Sequence, residues 1–367
     1  MKPETLRMDE RISIALRALY RQYGYLPYQV NTFEEYDLYM RSRSMLSSEQ
    51  ILTFPGAGGA LMALKPDITL SIVKNTKDED TPLKVFYAER IYRVPRGADG
   101  FKEIMQTGVE CIGCVDDYAM GEVLLLAAKS LEAISPAYML DVSDMGFVSA
   151  ILSMAQITPD ERAQLLEAIS AKNLHGLSAL CARFAVAQET QELLAALVTV
   201  YGGLDETLAR YEAMTLPDAC RESLRSLRAV CAMLKAQDVK NVNLDFSVVN
   251  DMNYYNGLIF SGFVAGIPAS VLSGGRYDLL MHRLGRASGA VGFAVYLDQI
   301  DRLEEKKAAP DADVLILTDD KTDPVRAALA AKAAIDQGLS VRVQREGGAP
   351  VYAKETLDLR GKGEAQG

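Results

Sequence analysis

The first recurring pattern along the chain is helical. Between Arg11 and Tyr23 the apolar residues return every three or four positions, which is the spacing of one face of an α-helix. Gly24 follows directly, and glycine often ends a helix because it adopts a left-handed backbone without strain. The pattern predicts an amphipathic helix over 11–23 that packs on a core.

A different pattern begins near Leu26. Short runs rich in β-branched and aromatic residues alternate with turn residues as far as Gly113, which is typical of an antiparallel sheet with hairpins. The predicted strands are 51–54, 61–64, 85–92 and 109–113. A helix over 118–134 and a strand over 137–142 are predicted to follow.

The stretch from about 147 to 236 changes character again. It is rich in Ala, Leu, Glu and Arg with helical periodicity, so it predicts an insert of several short helices. The sheet then resumes, with predicted strands at 242–246, 257–264 and 269–272. A final helix is predicted to begin near Phe293.

A charged segment over 301–311 contains Pro310 and predicts a linker. One strand–helix–strand unit is predicted after it, from the runs 314–317, 325–337 and 340–343, and the polar tail from Leu357 is expected to fray. The predicted domains are a core over 1–300 that contains the insert, the linker, and a small α/β unit over 312–367.

Composition narrows the class of protein. The 367 residues include 39 Lys and Arg against 49 Asp and Glu, a formal charge of −10, so no broad basic surface favours nucleic acid. Five cysteines, an odd number, favour reduced thiols and a cytoplasmic setting. The first residues lack an apolar signal core, and the longest apolar run is too short to span a bilayer.

Residues 90–113, RIYRVPRGADGFKEIMQTGVECIG, carry the first candidate chemistry. Alternation along a strand puts Gln106, Gly108 and Glu110 on one face. Glutamine and glutamate that point into a cavity can hold an ammonium group. The alternative is a solvated hairpin, and this stretch taken alone leaves both interpretations open.

Two later stretches join it in an ordered set. Residues 250–260 read NDMNYYNGLIF, and 273–300 read SGGRYDLLMHRLGRASGAVGFAVYLDQI. Together with 90–113 they resemble signature segments of class II histidyl-tRNA synthetases: motif 2, the histidine-specific RGLDYY segment, and GGRYD followed by motif 3. Residues 64–69, LKPDIT, resemble the LRPEGT turn of that family. The resemblance covers roughly residues 5–300.

The resemblance implies an α+β fold, a class II synthetase-like antiparallel sheet flanked by helices and interrupted by the insert. The region that contains Gly24, Phe33 and Glu34 resembles motif 1, which forms the dimer contact in that family. A homodimer core is therefore implied.

The departures from the family concern positive charge. The synthetase-like positions that remain are Arg93, Lys102, Arg276 and Tyr277. Asn250 and Gln299, however, stand where the family has arginines that neutralise ATP phosphates. Removing one charged partner costs on the order of 2–5 kcal/mol. The resemblance therefore implies that the chain has lost aminoacylation.

The histidine-binding side matches the family better. The positions that contact the amino acid in the family correspond to Asp67, Thr69, Gln106, Glu110, Tyr254 and Tyr255. The resemblance implies that this pocket recognises histidine but does not adenylate it. No catalytic residue, cofactor or metal is implied.

The residues after the linker are fewer than in the anticodon-binding domain of a synthetase, which argues against a tRNA partner. The chain resembles paralogues that serve as regulatory subunits for the short form of ATP phosphoribosyltransferase, the first enzyme of histidine biosynthesis. That resemblance implies a cytoplasmic hetero-oligomer with the catalytic subunit, histidine as effector and no membrane. Inhibitory histidine is expected in the pocket or at the contact with the catalytic chain. An active histidyl-tRNA synthetase and a free-standing paralogue are the alternatives.

Two other motifs favour structural roles. The pair Cys111 and Cys114 has C-x-x-C spacing, but no second pair or nearby histidine accompanies it, so a buried structural role is favoured over zinc. Residues 55–59 are rich in glycine but lack the Gly-Lys-Ser/Thr of a phosphate-binding loop, which favours a hairpin turn.

Overall fold

The computed structural model describes residues 6–40, 51–77, 81–94, 100–249, 255–300 and 310–361. The chain divides into two compact units, Met1–Leu303 and Glu304–Gly367. The strands in chain order are β1 Leu26–Pro27, β2 Phe33–Glu35, β3 Thr53–Pro55, β4 Leu61–Leu64, β5 Leu83–Arg93, β6 Lys102–Gly113, β7 Tyr138–Asp144, β8 Gly202–Gly203, β9 Val242–Leu244, β10 Leu258–Val264, β11 Leu272–Arg276, β12 Gly289–Tyr296, β13 Ala312–Thr318, β14 Val341–Arg345 and β15 Ala353–Asp358.

The helices are α1 Met8–Gln22, α2 Asp37–Met40, α3 Ile68–Asn75, α4 Asp117–Ile134, α5 Met145–Met154, α6 Pro159–Ser170, α7 Leu174–Arg183, α8 Gln188–Thr199, α9 Leu204–Glu212, α10 Asp218–Ala236, α11 Asp278–Arg283, α12 Leu297–Ile300 and α13 Pro324–Asp336. Within the described residues, none of them is long and apolar enough to cross a membrane.

A nine-stranded sheet organises the described part of the first unit, in the order β1-β5-β6-β12-β11-β10-β7-β9-β8. Neighbours from β5 to β7 in that order pair antiparallel, whereas β1 with β5 and β7 with β9 pair parallel. The α+β class II synthetase-like architecture predicted from the sequence is confirmed in this mostly antiparallel sheet with its flanking helices.

One face of this sheet packs on helices. Most residues of α4 are buried, which is expected of a helix that is apolar almost all round. Its N-cap, Asp116, accepts a hydrogen bond from the Ala119 amide. Tyr20 of α1 places its hydroxyl 3.1 Å from Ser130 of α4, which ties the two helices together beneath the sheet.

The other face of the sheet carries α3, α11 and a small antiparallel sheet of order β2-β4-β3. A second apolar cluster fills this side, with Tyr39, Ile72, Tyr87 and Leu280 among its buried members. The six helices from α5 to α10 lie between β7 and β9 in the chain and correspond to the helical stretch predicted over about 147–236. The stacked rings of Phe147 and Phe246, 4.1 Å apart, join that stretch to the residues after β9.

Three local predictions were wrong. Phe293 lies in the middle of β12 rather than at the start of a helix, because a strand buried on both faces is a continuous apolar run without alternation. The strand predicted at 269–272 is displaced to Leu272–Arg276. Leu357 belongs to β15, a polar edge strand paired parallel with β13, so the tail does not begin to fray at this residue; residues 362–367 lie outside the described residues. The second unit is thus a three-stranded parallel sheet, β14-β13-β15, with α13.

Candidate ligand-binding site

A row of residues crosses three neighbouring strands and forms the floor of the site. Glu110 of β6 lies opposite Gly292 of β12, and Gly292 lies opposite Gly275 of β11. A Cβ atom on Gly292 would overlap Oε2 of Glu110, and one on Gly275 would lie 2.6 Å from the Leu258 carbonyl oxygen. Glycine at 292 therefore leaves room for the Glu110 carboxyl on the sheet surface, and glycine at 275 allows the close approach of Leu258 and Tyr255.

Glu110 is held by hydroxyl groups. Its side chain is buried, with 2% of the residue exposed. The Thr69 hydroxyl donates to Oε1 at 2.7 Å, and the Tyr277 hydroxyl donates to Oε2 at 2.5 Å. Burial raises the pKa of Glu110 to about 8; the two hydroxyls oppose this effect and the nearby Asp67 adds to it. The carboxyl is therefore mostly protonated at neutral pH.

Asp67 and Thr69 reach the site from the start of α3. Asp67 is the N-cap residue, and its carboxylate accepts a hydrogen bond from the Leu70 amide at 2.9 Å. Burial raises the pKa of Asp67, while the Leu70 amide and the charge of Arg93 oppose the rise. The cap thus fixes one carboxyl beside the pocket and positions Thr69 in the first helical turn.

Gln106 lies on the same face of β6 as Glu110, four residues earlier, and is buried. Its side chain makes no hydrogen bond to the residues that the structure describes. It lies opposite Tyr296 of β12, whose hydroxyl is 2.6 Å from the Ser273 hydroxyl. Gln106 therefore offers an amide for a ligand at the edge of the Glu110 floor.

Tyrosines line the walls of the site. Tyr255, Tyr277 and Tyr87 belong to the apolar cluster on this face. Burial raises the pKa of Tyr255, with smaller contributions from Tyr296, Glu110 and Asp67, and it raises the pKa of Tyr87 well above its usual value. The hydroxyls therefore stay neutral at physiological pH and act as hydrogen-bonding groups beside aromatic surface.

Sequence reasoning missed Tyr87 and Tyr296. Tyr87 lies opposite Gly108 of β6, and Tyr296 lies opposite Gln106. The signal that could have found them is strand alternation combined with the register of β5 and β12 against β6. The register was hidden because the stretch that contains Tyr296 was assigned to a helix.

Other residues singled out in the sequence lie away from Glu110. The Arg276 side chain extends over the α4 face, where Nε donates to Asp278 at 2.7 Å and Nη1 lies 3.9 Å from the Met120 sulfur. Lys102 is exposed at the start of β6, opposite Arg93. Gln299 donates to its neighbour Asp298. The predicted positions Asn250 and Tyr254 lie outside the described residues.

The C-x-x-C pair divides between core and surface. Cys111 is 1% exposed and belongs to the core shared with α4, whereas Cys114 is exposed. Burial raises the pKa of Cys111 to about 11, so this thiol stays protonated at neutral pH. Among the described residues, no group of three or more His, Cys, Asp or Glu side chains could hold a metal ion.

The family model and the similar proteins point to the same family. The family model described as histidyl-tRNA synthetase matches residues 1–300. A protein of Symbiobacterium thermophilum named ATP phosphoribosyltransferase regulatory subunit is 31% identical over 353 residues, which is 93% of this chain and 88% of the relative. A protein of the same name from Clostridium kluyveri is 30% identical over 294 residues, 78% of this chain and 75% of the relative.

Solved structures agree on the fold. A crystal structure described as an ATP phosphoribosyltransferase regulatory subunit/histidyl-tRNA synthetase from Bacillus halodurans C superposes with a TM-score of 0.79 at 22% identity and covers 99% of this chain and 96% of that one. A chain of the ATP phosphoribosyl transferase (HisG:HisZ) complex from Thermotoga maritima gives 0.62 at 19% identity, with 78% and 96% covered. The protein therefore belongs to the histidyl-tRNA synthetase family, and within it to the members named ATP phosphoribosyltransferase regulatory subunit.

Proposed function

We propose that this chain is the regulatory subunit of ATP phosphoribosyltransferase in histidine biosynthesis, and that its synthetase-like pocket binds histidine as the feedback effector. Its relatives that are named ATP phosphoribosyltransferase regulatory subunit support the regulatory role. The observation that carries the histidine assignment is the buried carboxyl of Glu110, which Thr69 and Tyr277 hold in place, with no lysine or arginine paired to it among the residues that the structure describes.

The pocket suits a zwitterionic amino acid. An ammonium group needs acceptors, and Glu110, Asp67 and Gln106 provide carboxyl and amide oxygens around one floor. Tyr255 and Tyr87 add aromatic surface and hydroxyls that fit an imidazole ring. The charge of Arg93 influences the pKa of Asp67, so we assign Arg93 as the cation that meets the carboxylate of the ligand.

The same pocket is poorly equipped for ATP. Gln299 replaces the family's motif 3 arginine, and its described contact is with Asp298. Arg276 is engaged by Asp278 on the α4 face. We infer that the chain neither forms histidyl adenylate nor charges tRNA. Histidine-dependent exchange of pyrophosphate into ATP by the purified chain would instead support the alternative, an active synthetase.

We also infer a homodimer core, built on the outer face of the small sheet. Phe33 is 55% exposed, and its ring meets that of Phe54 at 5.9 Å in an edge-to-face contact. Met62 and Leu64 continue this face by strand alternation and are only half-buried. An apolar surface of this kind marks a protein contact. Phe33→Glu should shift the species seen by light scattering to a monomer, whereas Leu174→Glu, on the helical insert, should not.

The regulatory role is tested by co-expression with a short-form catalytic chain. The Thermotoga maritima structure is described as the ATP phosphoribosyl transferase (HisG:HisZ) complex, which supports a hetero-oligomer here. We expect the two chains to co-elute, and histidine to inhibit phosphoribosyl transfer to ATP by the assembled enzyme. Separate elution at micromolar concentrations of both chains would contradict the proposal. We place the complex in the cytoplasm, in keeping with cysteines that are all free thiols.

A further inference from the structure

Two short helices deliver hydroxyl groups to the same carboxyl. Thr69, in the first turn of α3, donates to Oε1 of Glu110, and Tyr277, directly before α11, donates to Oε2. The N-terminal ends of α3 and α11 therefore meet at the floor of the pocket. The position of each helix decides where its hydroxyl group, and the pocket wall that carries it, lies.

The backbone of Arg286 is fixed to the other end of α11. Gly285 follows this helix with a φ of +75°, the left-handed conformation that commonly ends a helix. The Gly285 amide donates to the His282 carbonyl oxygen at 3.0 Å, and the Arg286 amide donates to the Met281 carbonyl oxygen at 2.9 Å. These two hydrogen bonds determine the direction in which the Arg286 side chain leaves α11.

The Arg286 side chain crosses to the C-terminal end of α3. Its Nη1 donates to the Val73 carbonyl oxygen at 3.0 Å and to the carbonyl oxygen of Thr76, the C-cap residue of α3. The last carbonyl groups of a helix lack amide partners within the helix and carry the negative end of its dipole, so a guanidinium group suits them. Arg286 is half-buried, which reduces competition from water for these carbonyl groups.

We propose that Arg286 is a positioning residue for the ligand. It ties the C-terminal ends of α3 and α11 together and thereby holds the two walls of the pocket at the separation that the ligand requires. This inference rests on the proposed function, in which histidine occupies the pocket. An eight-residue helix is about 12 Å long, so Arg286 acts through Asp67 and Thr69 at the far end of α3 rather than by contact with the ligand.

The physical basis is preorganisation of the pocket. Groups that meet a ligand bind it tightly only if their own supports keep them near the required geometry. At metal sites, the loss of such a support typically lowers affinity about 10–100-fold. Without the guanidinium group, the C-terminal end of α3 loses a charged partner, and binding must then order α3 as well as the ligand. Histidine affinity should fall for that reason.

The test is titration calorimetry of the full chain with histidine, in which the unchanged chain is compared with two variants. Arg286→Met keeps an apolar stem but removes the guanidinium group, and we expect the dissociation constant for histidine to rise about tenfold, the lower end of that range. Arg286→Lys keeps the charge on a flexible stem without the fixed fork of donors, so its dissociation constant should lie between those of the unchanged chain and Arg286→Met.

Tyr211→Phe is the matched control. The Tyr211 hydroxyl lies 2.8 Å from the Ala196 carbonyl oxygen and 3.1 Å from that of Val200, so it binds the C-terminal end of α8 as Arg286 binds that of α3. Its loss should lower stability in urea and leave histidine affinity unchanged. Amide hydrogen exchange locates each effect: exchange should quicken in α3 in Arg286→Met, and in α8 in Tyr211→Phe.

The outcomes separate this inference from the proposed function. Unchanged histidine affinity in Arg286→Met would overturn the positioning role and leave the proposed function standing. An equal loss of affinity in Tyr211→Phe would do the same, because affinity would then follow general stability. Absence of histidine binding to the unchanged chain would overturn both. If Arg286→Met does not fold, Arg286→Lys decides: affinity equal to that of the unchanged chain contradicts the role, and weaker binding with faster exchange in α3 supports it.

Discussion

Two buried glutamates lie on opposite faces of the central sheet, and their carboxyl groups have different partners. Glu122 of α4 is 5% exposed; Lys84 of β5 lies 2.6 Å from its Oε1, and the Tyr25 hydroxyl donates to the same oxygen. Glu110 of β6 is 2% exposed and has hydroxyl partners without a described cation. Both residues are buried, so burial alone does not distinguish a structural acid from a functional one.

The partners of the two carboxyls indicate which face of the sheet leaves an interaction for a ligand. A carboxylate that is paired with a cation within the fold has its charge compensated by the protein, and removing that partner costs stability. A buried carboxyl that has no cation partner in the fold gains an ion pair only when a ligand brings a positive group. Glu122 is of the first kind and Glu110 of the second, so we assign ligand binding to the face of the sheet that carries Glu110.

The largest effect should come from breaking the paired side. Lys84→Met removes the cation and leaves Glu122 buried without it. Loss of one partner of a buried pair costs about 3–5 kcal/mol, and we expect about 3 kcal/mol because Lys84 keeps some exposure. Urea denaturation at pH 7 measures this loss, and histidine affinity should stay the same. A loss of stability below about 1 kcal/mol would show that the Lys84–Glu122 pair contributes no more than a solvent-exposed ion pair.

Next in size is the packing of the floor. Gly292→Ala places a Cβ against Oε2 of Glu110 and the Val109 carbonyl oxygen. Overpacking of this kind costs about 1–3 kcal/mol in stability, and histidine binding should be lost with the displaced carboxyl. Gly203→Ala is the control, because a Cβ there meets no atom within 4 Å. Histidine affinity unchanged in Gly292→Ala would remove this floor from the binding site.

The two glutamates should also differ in how stability depends on pH. Because the folded pKa of Glu110 is raised to about 8, the ligand-free folded chain binds more protons than the unfolded chain at neutral pH. The contribution of Glu110 is therefore present at low pH and is lost as pH rises, by at most about 1.4 kcal/mol per pH unit between roughly pH 5 and 8. This slope should disappear in Glu110→Gln and persist in Glu122→Gln. Urea midpoints across this pH range measure it.

A smaller change concerns the hydroxyl that supports Glu110. Thr69→Val removes the hydrogen bond to Oε1 while it keeps the shape of the side chain. We expect a loss of about 1 kcal/mol in stability and a pKa of Glu110 raised further, because this hydroxyl opposes the effect of burial. The pH at which stability stops falling should move upward accordingly. A downward movement would show that Thr69 favours the protonated form.

Much of this arrangement could be predicted from the sequence, as far as local patterns reach. The alternation that put Gln106 and Glu110 on one face is present in β6, and the strand predicted at 61–64 has those bounds. The helix predicted at 118–134 is α4, which begins one residue earlier. These features depend on the period of apolar residues within one segment, which the sequence displays directly.

The rest depends on register between segments that are distant in the chain. Phe293 was assigned to a helix because an apolar strand buried on both faces has no period-two signal. That error concealed Gly292 opposite Glu110 and Tyr296 opposite Gln106. The absence of a cation partner for Glu110 among the described residues was likewise beyond reach, since it depends on where Lys84 and Lys65 point after folding.

Histidine inhibition of the assembled enzyme, measured with the unchanged chain and with Glu110→Gln, decides whether Glu110 belongs to the effector site. Both should assemble equally with the catalytic chain, because Glu110 is buried inside the first unit and leaves the surface unaltered. We expect Glu110→Gln to raise the histidine concentration for half-inhibition at least about tenfold, the equivalent of about 1.4 kcal/mol. An unchanged inhibition curve in a fully assembled complex would contradict it and move the effector site to the contact with the catalytic chain.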